Sequence, residues 1–524
     1  MGGTVSRVDD MTVTVVVLVL AVVVFVWNKV PVGLVAIGVT LALYGTGVVS
    51  LEQAFGGFGD PVIIFIAALF VVSDGLEASG VTSWAGQQLV DRAHGSRTRL
   101  VVLLMALVAV VTALISVNGA VAALLPMVVV TAVRLRLSPS QFLIPLAFGA
   151  HAGSLLVLTG TPVNVLVSEL AVGAGEEPFG FFSFTLVGLP LVLGTMLVVV
   201  LLGPRLLPNR APTALPRDLS GHARLLAEQY ALDDRALLGS DTGVTEVVVS
   251  PRSALIGAEA FPGMVTESGD LVIAAIQRGG EQVGPTTLQA GDALLLQGTW
   301  EALDRTTTDP DVTVVDPPQL LRRQAAPMGG RAKVAIGIVL GMVLLLATGA
   351  VPASVAALLA ACAMVLLRVM TVSEAHRAIS WTTLILVGGM IPLSVAIQST
   401  GLADAMARGL VDVVGTDQPH LLLLGIVVVT VILGQLISNM ATALVIGPIA
   451  VAVAVDTGLS PLPMLMGVTV AAAAAFLTPV ATPANTMVLG PGGYRFGDYW
   501  RLGLPLTLLF VLVATFLVPV FWPF

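Results

Sequence analysis

The sequence predicts an all-α polytopic membrane protein, an inverted repeat of two five-span halves, each with a re-entrant hairpin, plus a small α/β cytoplasmic domain. Three observations carry this. The chain is 56% hydrophobic and 11% charged, with a mean hydropathy of +0.98. Uncharged runs such as 11–27 and 334–367 are long enough to span a bilayer singly or in pairs, which excludes an ordinary soluble protein. Two polar interruptions recur in the same order. Leu114-Ile115-Ser116 with Pro126 returns 322 residues later as Leu436-Ile437-Ser438 with Pro448, and Thr161-Pro162-Val163-Asn164 returns 321 residues later as Thr482-Pro483-Ala484-Asn485. Interrupted apolar segments at corresponding positions mark repeats and point to a site between them. Finally, residues 207–330 lose the hydrophobic pattern and hold half of the 32 acidic residues.

The first half offers spans near 11–29, 31–49, 61–80, 139–158 and 181–204. The second offers 333–350, 353–369, 381–400, 462–478 and 500–522. Segments 101–136 and 419–457 each have a polar centre. Read as turns, those centres make re-entrant hairpins; read as two full spans, the segments fall short of the ~20 residues a span needs. The first run does not read as a cleavable signal, because Asp9-Asp10 precedes it and no small-residue cleavage site follows. Cys362 is the single cysteine, so an intrachain disulfide and a cysteine metal cluster are excluded.

Basic residues set the expected orientation. Arg92, Arg97, Arg99, Arg134, Arg136, Arg205, Arg210, Arg322, Arg323, Arg331, Arg368, Arg377 and Arg495 fall on one side, while the opposite loops are mostly acidic or neutral, with Arg408 an exception. The positive-inside bias places the N-terminus outside and 207–330 in the cytoplasm of an inner (plasma) membrane protein. The halves, 1–206 and 331–524, then have opposite topology. Within 207–330, β-rich runs at Thr245–Val249, Leu271–Ile276 and Ala293–Gln297 are separated by Arg278-Gly279-Gly280 and Ala290-Gly291-Asp292. Pro-rich, charged linkers at 208–216 and 310–327 flank this domain.

The candidate chemistry lies at the breaks. Ser116-Val117-Asn118-Gly119 and Ser438-Asn439-Met440-Ala441-Thr442 put hydroxyls and amides halfway along apolar segments. A broken helix at membrane depth frees backbone groups that must be buried in protein or line a wet cavity. Freed carbonyls suit Na⁺, and helix N-termini suit anions. An isolated Ser or Asn is more often glue between helices; the paired interruptions reverse that weighting. The Thr-Pro runs are expected to unwind a helix, since proline removes a donor and drives the preceding residue out of helical conformation; a simple kink is the competing reading. His151, inside an apolar run, is a candidate proton relay or a hydrogen-bonded packing residue.

The paired tips, the Thr-Pro-x-Asn loops and Pro491-Gly492-Gly493-Tyr494-Arg495-Phe496 together resemble the divalent anion/sodium symporters and their citrate-transporter-like relatives. The resemblance covers both membrane halves. The stretch around Val247 to Leu303, above all Leu288 to Gly298, resembles the C-terminal domain of regulators of K⁺ conductance. By the family's pattern, Ser116, Asn118, Thr161, Asn164, Ser438, Asn439, Thr482 and Asn485 bind substrate oxygens and Na⁺, with Na⁺ near Ser116, Thr161, Ser438 and Thr482. The family tip motif is Ser-Asn-Thr; Val117, Asn118 and Met440 depart from it.

The resulting expectation is a secondary active transporter of a small divalent anion, sulfate or a di- or tricarboxylate, with Na⁺ as the coupling ion and no other cofactor. It is not an enzyme. Its partners are the anionic substrate, the lipid bilayer, a second copy in the homodimer that the resemblance implies, and an unknown small ligand of the cytoplasmic domain; nucleic acid is not among them. The alternative is a cation or proton antiporter gated by that domain, which would prefer intramembrane carboxylates. A non-transporting sensor would not need paired interruptions. No Thr-Val-Gly-Tyr-Gly filter of a K⁺ channel is present.

Overall fold

The computed structural model describes residues 2–27, 29–81, 96–135, 137–210, 242–266, 268–306, 309–315, 318, 330–403, 405–406, 408–409 and 418–524. Arg92, Arg136, Arg322, Arg323 and the linker stretches 211–216 and 319–327 lie outside these residues. Contacts divide the chain into two units, one of Met1–Asp74, Leu89–Leu215 and Ile338–Phe524, the other of Gly75–Gln88 and Pro216–Gly337.

The chain opens with α1 (Gly2–Trp27), α2 (Val32–Gly45), α3 (Leu51–Gly56) and α4 (Pro61–Ala78). Next come α5 (Arg97–Leu114) and α6 (Val117–Arg134), separated at Ile115-Ser116. Helix α7 (Leu143–Gly153) is followed by an irregular stretch, then α8 (Pro162–Gly173) and α9 (Thr185–Leu206).

Among its described residues the inserted unit carries seven strands and one short helix, where the sequence suggests a small α/β domain. β1 (Thr242–Val249), β3 (Leu271–Arg278), β4 (Glu281–Val283), β6 (Ala293–Thr299) and β7 (Val312–Val314) form an antiparallel sheet of order β4-β3-β6-β1-β7. β2 (Glu259–Ala260) pairs with β5 (Thr286–Thr287). The three runs expected to be strands are β1, β3 and β6, and Gly279-Gly280 closes the β3–β4 hairpin. Alternating side chains, among them Val247, Ile273, Ile276, Leu294 and Leu296, pack with Trp300 and Leu303 of the short helix α10 (Trp300–Arg305).

The second half continues with α11 (Gly330–Thr348), α12 (Ala353–Leu366), α13 (Val372–Ala378) and α14 (Trp381–Ser399). It ends with α15 (Pro419–Gly434), α16 (Asn439–Thr457), α17 (Pro461–Ala473), α18 (Pro483–Leu489) and α19 (Tyr499–Leu512), the last running on through a π turn to Phe521. Among the described residues, seven helical stretches are long and apolar enough to cross a membrane: Leu51–Ala78, Arg97–Leu114, Thr185–Leu206, Arg331–Thr348, Trp381–Ser399, Asn439–Thr457 and Phe496–Phe521.

The expected spans 139–158 and 462–478 are helical only to Gly153 and Ala473, because each chain leaves the helix before its Thr-Pro pair. Every residue of α7 is buried, as a helix apolar on all sides requires. It packs on α5. Across the halves, α8 packs on α16 and α17, while α18 packs on α6 and α7. The helix that follows each Thr-Pro break is thus received by the other half.

Candidate functional site

Each break is built from local chemistry. Ser116 and Ser438 have nearly the same extended backbone (φ −61°, ψ 152° and φ −63°, ψ 151°). Each hydroxyl accepts the N–H three residues on, from Gly119 and Ala441, at 3.2 Å. They are the N-caps that start α6 and α16. Thr161 and Thr482, also extended, cap α8 and α18, with Pro162 and Pro483 as first helical residues. Proline suits that position because its missing N–H has no helical partner there. The prolines of the Thr-Pro motif start helices here and do not kink them.

The two asparagines do the same work at the same offsets. Asn164 Nδ2 donates to the carbonyls of Ser154 (3.0 Å) and Val157 (2.9 Å). Asn485 Nδ2 donates to those of Ala475 (2.7 Å) and Thr478 (3.1 Å). A broken helix leaves carbonyls unpaired, and these amides satisfy two in each half. Both side chains are wholly buried, and in both the Oδ1 atom has no protein partner. Asn439 Oδ1 and Thr478 Oγ1 are buried and unpartnered as well. At the second position of the tip helices, Asn118 is exposed, whereas Met440 is buried. Ser438 is exposed; Ser116 and Thr161 are half-buried.

His151 crosses between the halves, its Nε2 lying 3.0 Å from Thr482 Oγ1. The same hydroxyl oxygen accepts the Asn485 N–H at 3.3 Å. Its own proton can therefore go to a neutral imidazole nitrogen, or it can accept from an Nε2–H. Phe476 stands edge-on to the His151 ring at 6.0 Å and against Phe148 at 4.8 Å.

Sequence reasoning missed the fasteners of the irregular stretches. Gln435, at the end of α15, accepts the Leu477 N–H at 3.0 Å and donates to the Ala474 carbonyl at 2.9 Å. It replaces helical partners that the break removes. In the first half, Thr159 Oγ1 donates to the Ala113 carbonyl at 3.3 Å. Gly188 of α9 and Gly503 of α19 let those helices touch the breaks. A Cβ would fall 2.0 Å from the Leu155 carbonyl oxygen and 2.2 Å from that of Phe476. A polar residue in the last turn before a break was the available signal for Gln435; for the glycines, sequence offered none.

These features define a helical membrane protein with paired broken helices at its centre. The family model "Citrate transporter" matches residues 22–459 and 414–524. The uncharacterized transporter YfbS of Escherichia coli is 32% identical over 97% of this chain and 98% of its own length. The chain belongs to the citrate transporter family. Its relatives are transporters and not enzymes. The probable sodium/sulfate cotransporter 3 of Chlamydomonas reinhardtii is 25% identical across 52% of this chain and 32% of that protein. The sodium-dependent dicarboxylate transporter SdcS of Staphylococcus saprophyticus is 33% identical across 28% and 29%. In fold, the chain is similar to the crystal structure of the YdaH transporter of Alcanivorax borkumensis, with a TM-score of 0.52, 16% identity and coverage of 96% and 99%.

Proposed function

We propose that this chain is a secondary active transporter of a small divalent anion, sulfate or a di- or tricarboxylate, coupled to Na⁺ and working by alternating access. The observation that carries this is the set of buried, unpartnered carboxamide oxygens of Asn164, Asn439 and Asn485. A buried acceptor left unpaired costs ~1–3 kcal/mol, and a bound cation offsets that cost. Na⁺ near Ser116, Thr161, Ser438 and Thr482 would take these oxygens and the freed carbonyls. The capped starts of α6, α8, α16 and α18 carry partial positive charge that favours the anion. The sodium/sulfate and dicarboxylate relatives support the substrate class.

In this reading 1–206 and 331–524 are inverted repeats whose breaks are re-entrant tips, and 207–330 is a cytoplasmic regulatory domain of the regulator-of-K⁺-conductance C-terminal type that senses a small ligand. The N-terminus is outside the inner membrane, and the working unit is a homodimer. Counterflow of labelled sulfate, succinate and citrate in proteoliposomes, with and without a Na⁺ gradient, tests it. Uptake of none of the three would sink the substrate class.

One observation favours a second reading. The His151–Thr482 contact places a titratable ring against the site, so proton coupling through His151 is the competitor to Na⁺.

A further inference from the structure

The Pro491–Phe496 motif reads only as a family mark in the sequence, yet it lies in a dense polar junction. Arg210, where the chain leaves α9 toward β1, donates from Nη1 to Asp498 Oδ2 (2.5 Å) and to the Gly493 carbonyl (3.2 Å), and from Nη2 to Asp498 Oδ1 (3.4 Å). Asp498 is buried, its side chain 4% exposed, and its Oδ2 also accepts the Arg495 N–H at 2.7 Å. A buried carboxylate held by a two-pronged guanidinium and a backbone donor is fixed in place.

Four further bonds surround this pair. The Arg210 N–H donates to Ser140 Oγ at 3.0 Å. Tyr494 Oη donates to the Ser140 carbonyl (2.6 Å) and accepts the Ile144 N–H (3.0 Å), capping the start of α7, the helix that carries His151. Tyr499, adjacent to Asp498 and fully buried, donates its hydroxyl to the Asn485 carbonyl at 2.6 Å. Glycine is required where the loop folds back, since a Cβ on Gly492 would lie 2.1 Å from the Tyr494 ring and Gly493 has φ +61°.

We propose that Arg210, Asp498 and Tyr499 are positioning residues. They tie the point where the chain departs for the inserted domain to the backbone of Asn485, and so set the geometry of the second-half break. A displacement of Arg210 is passed through Asp498 and Tyr499 to α18, while Tyr494 holds α7 in register with the same loop. This rests on the proposed role of Asn485.

The test uses the full-length chain in proteoliposomes. Tyr499→Phe keeps the ring and removes only the bond to Asn485; Arg210→Ala removes the pair, and Arg210→Lys keeps the charge without the fork. Hydrogen exchange of peptides covering 474–489 should speed up by roughly fivefold or more in Tyr499→Phe and Arg210→Ala, a typical span for coupled sites. Arg210→Lys should be intermediate, and α12 unchanged. The same variants should shift the half-saturating Na⁺ for sulfate uptake more than the maximal rate. Because spatial intermediacy alone does not establish coupling, the double variant decides: its exchange should not exceed that of the stronger single variant by more than about twofold. Unchanged exchange over 474–489 in Tyr499→Phe, or fully additive effects, overturns the proposal. Exchange does not depend on the transported species, so a wild-type chain that moves no anion would defeat the function above without touching this test.

Discussion

His151 Nε2 and Thr482 Oγ1 lie 3.0 Å apart, although 331 residues separate them in the chain. The hydroxyl is the N-cap of α18 and sits at the start of the second-half break, so a ring from one half touches the break of the other. Position 472, where the repeat offset would put a second such ring, is Ala472. The paired caps are alike in backbone, and the two halves are unlike here.

That contact frames the coupling test. Uptake should rise with external Na⁺ at fixed pH and survive His151→Gln, because a carboxamide can still hydrogen-bond Thr482. Transport indifferent to Na⁺, driven by a pH gradient and abolished by His151→Gln, would assign coupling to protons.

The asparagines should separate binding from folding. Asn485→Ala leaves two buried carbonyls without their donor, a cost of roughly 1–3 kcal/mol each, so it should lower the melting temperature and abolish uptake. Asn439→Ala should abolish uptake with the melting temperature held. Thr161→Ala should also lose transport while staying folded, at a cap cost of about 1 kcal/mol, and Thr161→Ser, which keeps the cap, should restore it. Wild-type uptake by Asn439→Ala would refute the site assignment.

In the inserted unit, the Arg278 guanidinium forks onto Asp292 at 2.8 and 2.7 Å. This holds the Asp292 carboxyl below the ordinary carboxylate range, helped by the Gln289 N–H. A lowered folded-state value means that the stabilisation is present above the unfolded value, about 4, and is lost as pH falls through the folded one. Asp292→Asn should therefore speed exchange in β3 and β6 at neutral pH, and the gap from wild type should close below about pH 4. A gap that persists in acid would mean that the charge is not the source.

Orientation is decided by labelling. In a Cys362→Ala background, a cysteine at Ala174, between α8 and α9, should react with an impermeant maleimide in intact cells. One at Ser220, outside the described residues, should react only after lysis. The reverse pattern overturns both the orientation and the inverted repeat.

By itself the sequence determined the membrane character, the two breaks in each half, and three strands of the insertion. These features depend on hydropathy over a span and on what proline, serine and threonine do to neighbouring backbone, so they are local and leave a local mark. Tertiary structure alone decided that Asn164 and Asn485 spend their amide protons on loop carbonyls and keep an oxygen free, that Gln435 fastens one break, and that α8 and α18 are received by the opposite halves. It also decided the partners of His151 and Arg210, which lie 331 and 288 residues away. In segments apolar on every side, the pattern cannot say which face meets which helix. Shape and the need to satisfy buried polar groups make that choice only once the helices have packed.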